Sequence, residues 1–165
     1  MAHINRLRAR FAPYTEVIYP TVTTDVIEVG DLVVVSSNKA KPASSITATG
    51  GSAGTRLTAV QDGVADVLIG VAMSSKPSTS TPDIRVAVRG VFELSCAALQ
   101  SAAHVGDAIE ISGTDDATTG TATPQIVAIG ATNPIGKLVK EAVIGDTTLM
   151  VELIGLHVKI PVVAD

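Results

Sequence analysis

Apolar residues along this chain come in short runs with a period of two, separated at short intervals by Gly, Asp, Ser and Pro. Alternation of this kind is the signature of half-buried β-strands. The clearest run is 84–94, where Ile84, Val86, Val88, Phe92 and Leu94 are expected on one face and Arg85, Arg89 and Glu93 on the other. Gly90 interrupts it, as a bulge or a close contact. Further strands are expected at 14–24, 32–36, 66–73, 125–129, 135–143 and 147–153, the last leading into 156–163. Pro20 restricts the first of these to an edge or a bend. Residues 95–104, with Cys96, Ala97, Ala98, Leu99 and Ala102 behind a capping Ser95, are the expected short helix.

Three of the strands are introduced in the same way. Val29-Gly30-Asp31, Val105-Gly106-Asp107 and Ile144-Gly145-Asp146 each precede an apolar run. Gly adopts backbone angles that other residues resist, and Asp bonds its own backbone near a turn. Each unit is therefore expected to be a tight corner feeding a strand. Between strands, 74–83 and 112–124 are polar turn regions. Residues 36–55, ending in Gly50-Gly51-Ser52-Ala53-Gly54, are expected to form a long flexible loop. The predicted fold is mainly β: a compact barrel or sandwich of short strands, with one short helix and an extended N-terminal arm. The arm covers 1–13 and the single β-rich domain 14–165.

Composition sharpens this picture. The 165 residues suffice for one domain with a real core. The chain is 46% hydrophobic but only 2% aromatic, so the core is built from Val, Ile, Leu and Ala. Aromatic platforms for sugars or single-stranded nucleic acid are scarce. Twelve Lys and Arg face sixteen Asp and Glu, for a net charge of −4, yet Arg6, Arg8 and Arg10 stand in an arm without an acid. An acidic body repels nucleic acid. Its basic arm suits an acidic protein surface. Extended, the arm sets its arginines on one side and Leu7, Ala9 and Phe11 on the other, the layout of a strand that adds to a partner's sheet edge; a frayed terminal tail is the equal alternative. Cys96 is the only cysteine, so no intrachain disulfide forms. No apolar stretch approaches the roughly 20 residues of a membrane-spanning helix. Arg and Asn stand where a signal peptide has its apolar segment, which predicts synthesis in the cytoplasm.

Candidate chemistry is sparse. The Gly50–Gly54 stretch is followed by Thr55-Arg56 rather than the Lys-Ser/Thr of a phosphate loop, and no helical pattern is apparent after it. His3, His104 and His157 lack metal-ligand spacing. Asp115-Asp116 lacks the alternating acids of a calcium loop and is expected to be a solvated turn. Neither Ser95 nor Cys96 has a base at a spacing that recommends one. No catalytic residue, metal or cofactor is expected.

The runs Val29-Gly30-Asp31-Leu32-Val33-Val34-Val35, Ile69-Gly70-Val71-Ala72, 86–94, Val105-Gly106-Asp107-Ala108, Ile135-Gly136-Lys137-Leu138-Val139 and 145–153, taken in order, resemble the capsid decoration (cement) proteins of tailed bacteriophages. The role is similar to that of the lambda-type head decoration protein. The resemblance covers about 29–153. It implies a non-enzymatic virion protein, a homotrimer on the capsid exterior, that bridges major capsid protein subunits of the expanded shell. It makes no contact with nucleic acid or membrane. On this reading Arg6, Arg8, Arg10, Phe11 and Tyr14 touch the capsid, and Arg85, Arg89 and Glu93 face a neighbouring protomer. A receptor-binding or adhesive β-module on a virion or cell surface is the alternative, and a small trimeric β enzyme a third.

Overall fold

In the computed structural model, residues 9–52, 54–115 and 118–154 are described. Among the described residues, ten strands form a single sheet, accompanied by one α-helix. In chain order the strands are β1 (Ala9–Tyr19), β2 (Leu32–Ser36), β3 (Lys39–Pro42), β4 (Thr47–Thr49), β5 (Leu68–Ala72), β6 (Ile84–Cys96), β7 (Ala108–Asp115), β8 (Thr119–Ile129), β9 (Gly136–Leu138) and β10 (Thr148–Ile154). Helix α1 spans Thr55–Val67.

Five strands close a barrel in the order β6, β10, β9, β7, β8. Closure comes from a parallel pairing of β8 with β6 at Ser95–Ile126 and Cys96–Val127. The interior is filled by alternate residues of each strand, among them Phe92, Leu94, Leu149, Val151, Leu138, Ile109, Ile111 and Val127. Val60 and Val64, one helical turn apart on α1, pack into the same core.

The extra strands build a second core. Ile69, Ala72, Ile84, Val86, Val88 and Val33 are buried there, flanked by Val17, Tyr19 and Val35. Within β2, Leu32 and Val34 face the barrel core while Val33 faces the second one. This layer is thus buried on both faces, which explains why its strands are continuous apolar runs rather than alternating ones.

Strand β6 serves both cores, and here the expected single face is corrected. Ile84, Val86 and Val88 face the second core, with Ala87 toward the barrel. Beyond Gly90, Phe92, Leu94 and Cys96 have taken over the barrel side. The parity switch falls at Gly90, which has φ +153°. Glycine adopts such an angle without the steric penalty a side chain brings.

Three other expectations change. Residues 36–55 are not one long loop: they hold β3, a 3-10 turn at Ala43–Ser45, and β4. The helix lies at 55–67, not at 95–104, where Ser95 and Cys96 end β6 and no helix follows. The expected arm of 1–13 is corrected at its C-terminal part, because Ala9 already pairs with Phe92, and Phe11 with Val91, as part of β1; residues 1–8 lie outside the described residues.

Candidate functional site

The three Gly-Asp corners are one device built three times. At each, the Asp N–H donates to the carbonyl three residues back: Asp31 to Glu28 (3.1 Å), Asp107 to His104 (3.0 Å) and Asp146 to Val143 (3.1 Å). The Asp carboxylate in turn accepts from that residue's N–H, at 2.8 Å in every case. Gly30, Gly106 and Gly145 have φ of +101°, +96° and +90°, the angle that the third position of a type II turn demands. A further pair of backbone bonds ties each corner to a neighbouring segment. Gly106 donates to Leu138 (2.8 Å) and Leu138 donates back to Asp107 (2.9 Å). Gly30 and Asp31 do the same with Ala72, and Gly145 and Asp146 with Leu99. The three carboxylates are therefore consumed by turn construction.

Each corner presents an apolar side chain to solvent at its second position. Val29 is 41% exposed, Val105 61% and Ile144 69%, and the adjoining Val143 is also exposed. Strands β7 and β10 both run antiparallel to β9, so the corners that lead into them lie at the same end of the barrel. A double hydrogen bond between Ala103 and Ala142 ties the two segments together just before the corners. Val105, Val143 and Ile144 form the apolar tips of that end. A turn tip gains nothing from an exposed β-branched apolar residue, and a contiguous exposed apolar patch is a mark of contact surfaces.

The anion seat at the start of α1 is filled from within. Gly54 N–H and Arg56 Nε both donate to the Asp115 carboxylate, the latter at 2.7 Å, and Arg56 Nη1 donates to the Gly51 carbonyl at 2.7 Å. The two side chains are 5% and 9% exposed, so Asp115 belongs to a buried ion pair rather than a solvated turn. Desolvation pushes its carboxyl upward. The hydrogen bonds from Gly54 and Arg56 and the guanidinium charge outweigh that, and the net shift is downward. A phosphate has no room at this helix start, since a carboxylate already receives its donors. Spacing in the sequence did hold a signal for α1: Leu57, Val60, Val64 and Val67 recur at three and four residues.

Other candidate groups stay apart. His104 is exposed beside its corner, while His3 and His157 lie outside the described residues. Among the described residues no group of three His, Cys, Asp or Glu is placed to hold a metal. The Cys96 thiol is buried, with Sγ 3.7 Å from the Asp146 carbonyl. Burial, and then the Asp146 charge, push its pKa up, the opposite of an activated nucleophile. Sequence reasoning missed Lys76, which is fully buried and donates its ammonium to the Thr23 and Asp25 carbonyls. That bond set staples the segment before the first corner to the loop before β6.

The expected contact residues are dispersed. Arg6 and Arg8 lie outside the described residues. Arg10, Phe11 and Tyr14 are on β1, where the backbone alone is described. Arg85 is exposed and pairs with Glu16 of β1 at 3.5 Å. Glu93, past the parity switch, lines an outer groove with Lys140 and Met150. Arg85, Arg89 and Glu93 consequently do not make one face. Compared with protein-family models, curated proteins and solved structures, the chain matches none.

Proposed function

We propose that this chain is a structural virion protein that binds the outer surface of an expanded tailed-phage capsid and bridges major capsid protein subunits, as a homotrimer. The observation that carries the reading is the barrel end with Val105, Val143 and Ile144 at its tips. These are exposed apolar groups on hydrogen-bonded corners, presented without a catalytic cluster beside them among the described residues. The order of sequence motifs, which resembles that of decoration proteins, supports the same reading. So does the basic N-terminus, whose Arg6 and Arg8 precede a strand anchored on β6.

The mechanism is linkage. A protein that binds the expanded lattice more tightly than its precursor stabilises the expanded state by that difference in affinity. Contacts from several copies in one oligomer act together through effective concentration, so each can be modest. The eight residues before β1 reach at most about 26–29 Å when extended, enough to touch an adjacent subunit. Incubation with undecorated expanded capsids, followed by sedimentation, tests the reading. Binding is expected to saturate, and to weaken both in Ile144→Asp and in a chain lacking residues 1–8. Absence of binding by the intact chain would refute it.

A further inference from the structure

The crossover that presents Val143 and Ile144 also closes one side of a groove on the outside of the barrel. Along β10, Leu149 and Val151 are buried in the barrel core, so Met150 between them faces outward. Glu93 of β6 stands directly across from Met150 and shares its face. The chain leaving β9 starts beside this pair, with Val139 N–H donating to the Met150 carbonyl at 2.9 Å. Met150, Val139 and Ala142 give the groove its apolar lining. Glu93, Glu141 and Asp146 bring carboxylates to it, against the ammonium of Lys140.

A lining both apolar and acidic fits one kind of side chain. Arginine has an apolar stem and a charged head. Its stem packs along Met150, whose unbranched thioether adapts to what it meets. The guanidinium presents several N–H donors in a planar fork, so one head reaches carboxylates on more than one side. A lysine ammonium is compact and more strongly hydrated, and gains less. Asp146 contributes charge more than bonding, because its Oδ2 already accepts from Val143 N–H at 2.8 Å. An anionic ligand is repelled by the same carboxylates.

We propose that this groove takes an arginine side chain from the protein surface onto which Val143 and Ile144 dock. The tips supply apolar area, and the groove beside them supplies charge complementarity, which sets the register of docking and makes it salt-dependent. Arginine is among the residues that carry most of the energy of protein contacts. The donor, a major capsid protein subunit, rests on the capsid reading above. The preference for arginine is a property of this chain alone, so the two are tested separately.

The first test titrates isotope-labelled protein with N-acetylarginine amide and, alongside, with its neutral isostere N-acetylcitrulline amide. Saturable amide shifts at Glu93, Lys140, Glu141 and Met150 are expected with the arginine compound alone. The affinity is expected to fall about tenfold in the double variant Glu93→Gln and Glu141→Gln, with circular dichroism unchanged. An equal response to the two compounds, no saturation at the groove, or an undiminished response in the variant would overturn the proposal. A response that appears only in a chain lacking residues 1–8 would put the chain's own arginines in the groove and overturn it as well. The second test binds the double variant to undecorated expanded capsids. Binding about tenfold weaker than wild type, with a shallower salt dependence, is expected. Binding equal to wild type would overturn the proposal, as would self-association of the chain that the arginine compound reverses, which makes a second copy the donor. Groove binding of arginine by a chain that ignores capsids would refute the capsid reading and uphold the arginine site.

Discussion

Gly106 and Gly70 both have positive φ, yet they answer different demands. A methyl group on Gly106 meets nothing within 4 Å, whereas on Gly70 it falls 2.0 Å from the Ala87 carbonyl oxygen. Gly106→Ala is expected to cost only the conformational penalty, about 1–2 kcal/mol. Gly70→Ala has to part β5 from β6 and is expected to cost more than about 4 kcal/mol or to prevent folding. Urea titration of the two variants checks the contrast, and equal losses would show that the close approach does not matter. Asp115 makes a pH prediction. Its folded pKa lies below the ordinary carboxylate value, so the stabilisation is present above about pH 4 and is lost as pH falls through the folded pKa. Wild-type stability should therefore drop more steeply in acid than that of Asp115→Asn, and parallel curves would contradict the assignment. The raised pKa and burial of Cys96 predict negligible reaction with a thiol reagent until the protein unfolds.

At the level of elements, strands with local signals were legible and those that depend on distant partners were not. The Gly-Asp corners could be read from three residues each because their hydrogen bonds close within four. The barrel class followed from the many short runs. Helix α1 was hidden by the glycines before it and by Gly63, which weakens a helical pattern, although Val60 and Val64 were in phase. Its start is fixed by Asp115, about sixty residues away, and local spacing carries no trace of that. The parity switch in β6 was equally invisible: even-numbered apolar residues on either side of Gly90 serve different cores because the strand turns between them there. β1 was expected to begin as a free arm because its pairing partner, β6, lies some seventy residues on.

As a whole the molecule joins two apolar cores through β2, β5 and β6, each of which contributes to both, and the acidic residues of its corners build turns. Among the described residues, what it offers outward includes the exposed apolar tips of one barrel end, Val105, Val143 and Ile144. Among these, Ile144 tests the capsid reading with the least risk to the fold, because it is 69% exposed at the tip of a corner whose hydrogen bonds come from its neighbours. Circular dichroism of Ile144→Asp is expected to match wild type, which separates loss of contact from loss of structure. The most direct measurement is a binding isotherm of the purified protein on undecorated expanded capsids, with unexpanded precursor shells alongside. Saturable binding that is at least tenfold tighter to the expanded shell, with a raised capsid melting temperature, is the predicted result. Equal affinity for the two shells, or none for either, would contradict it.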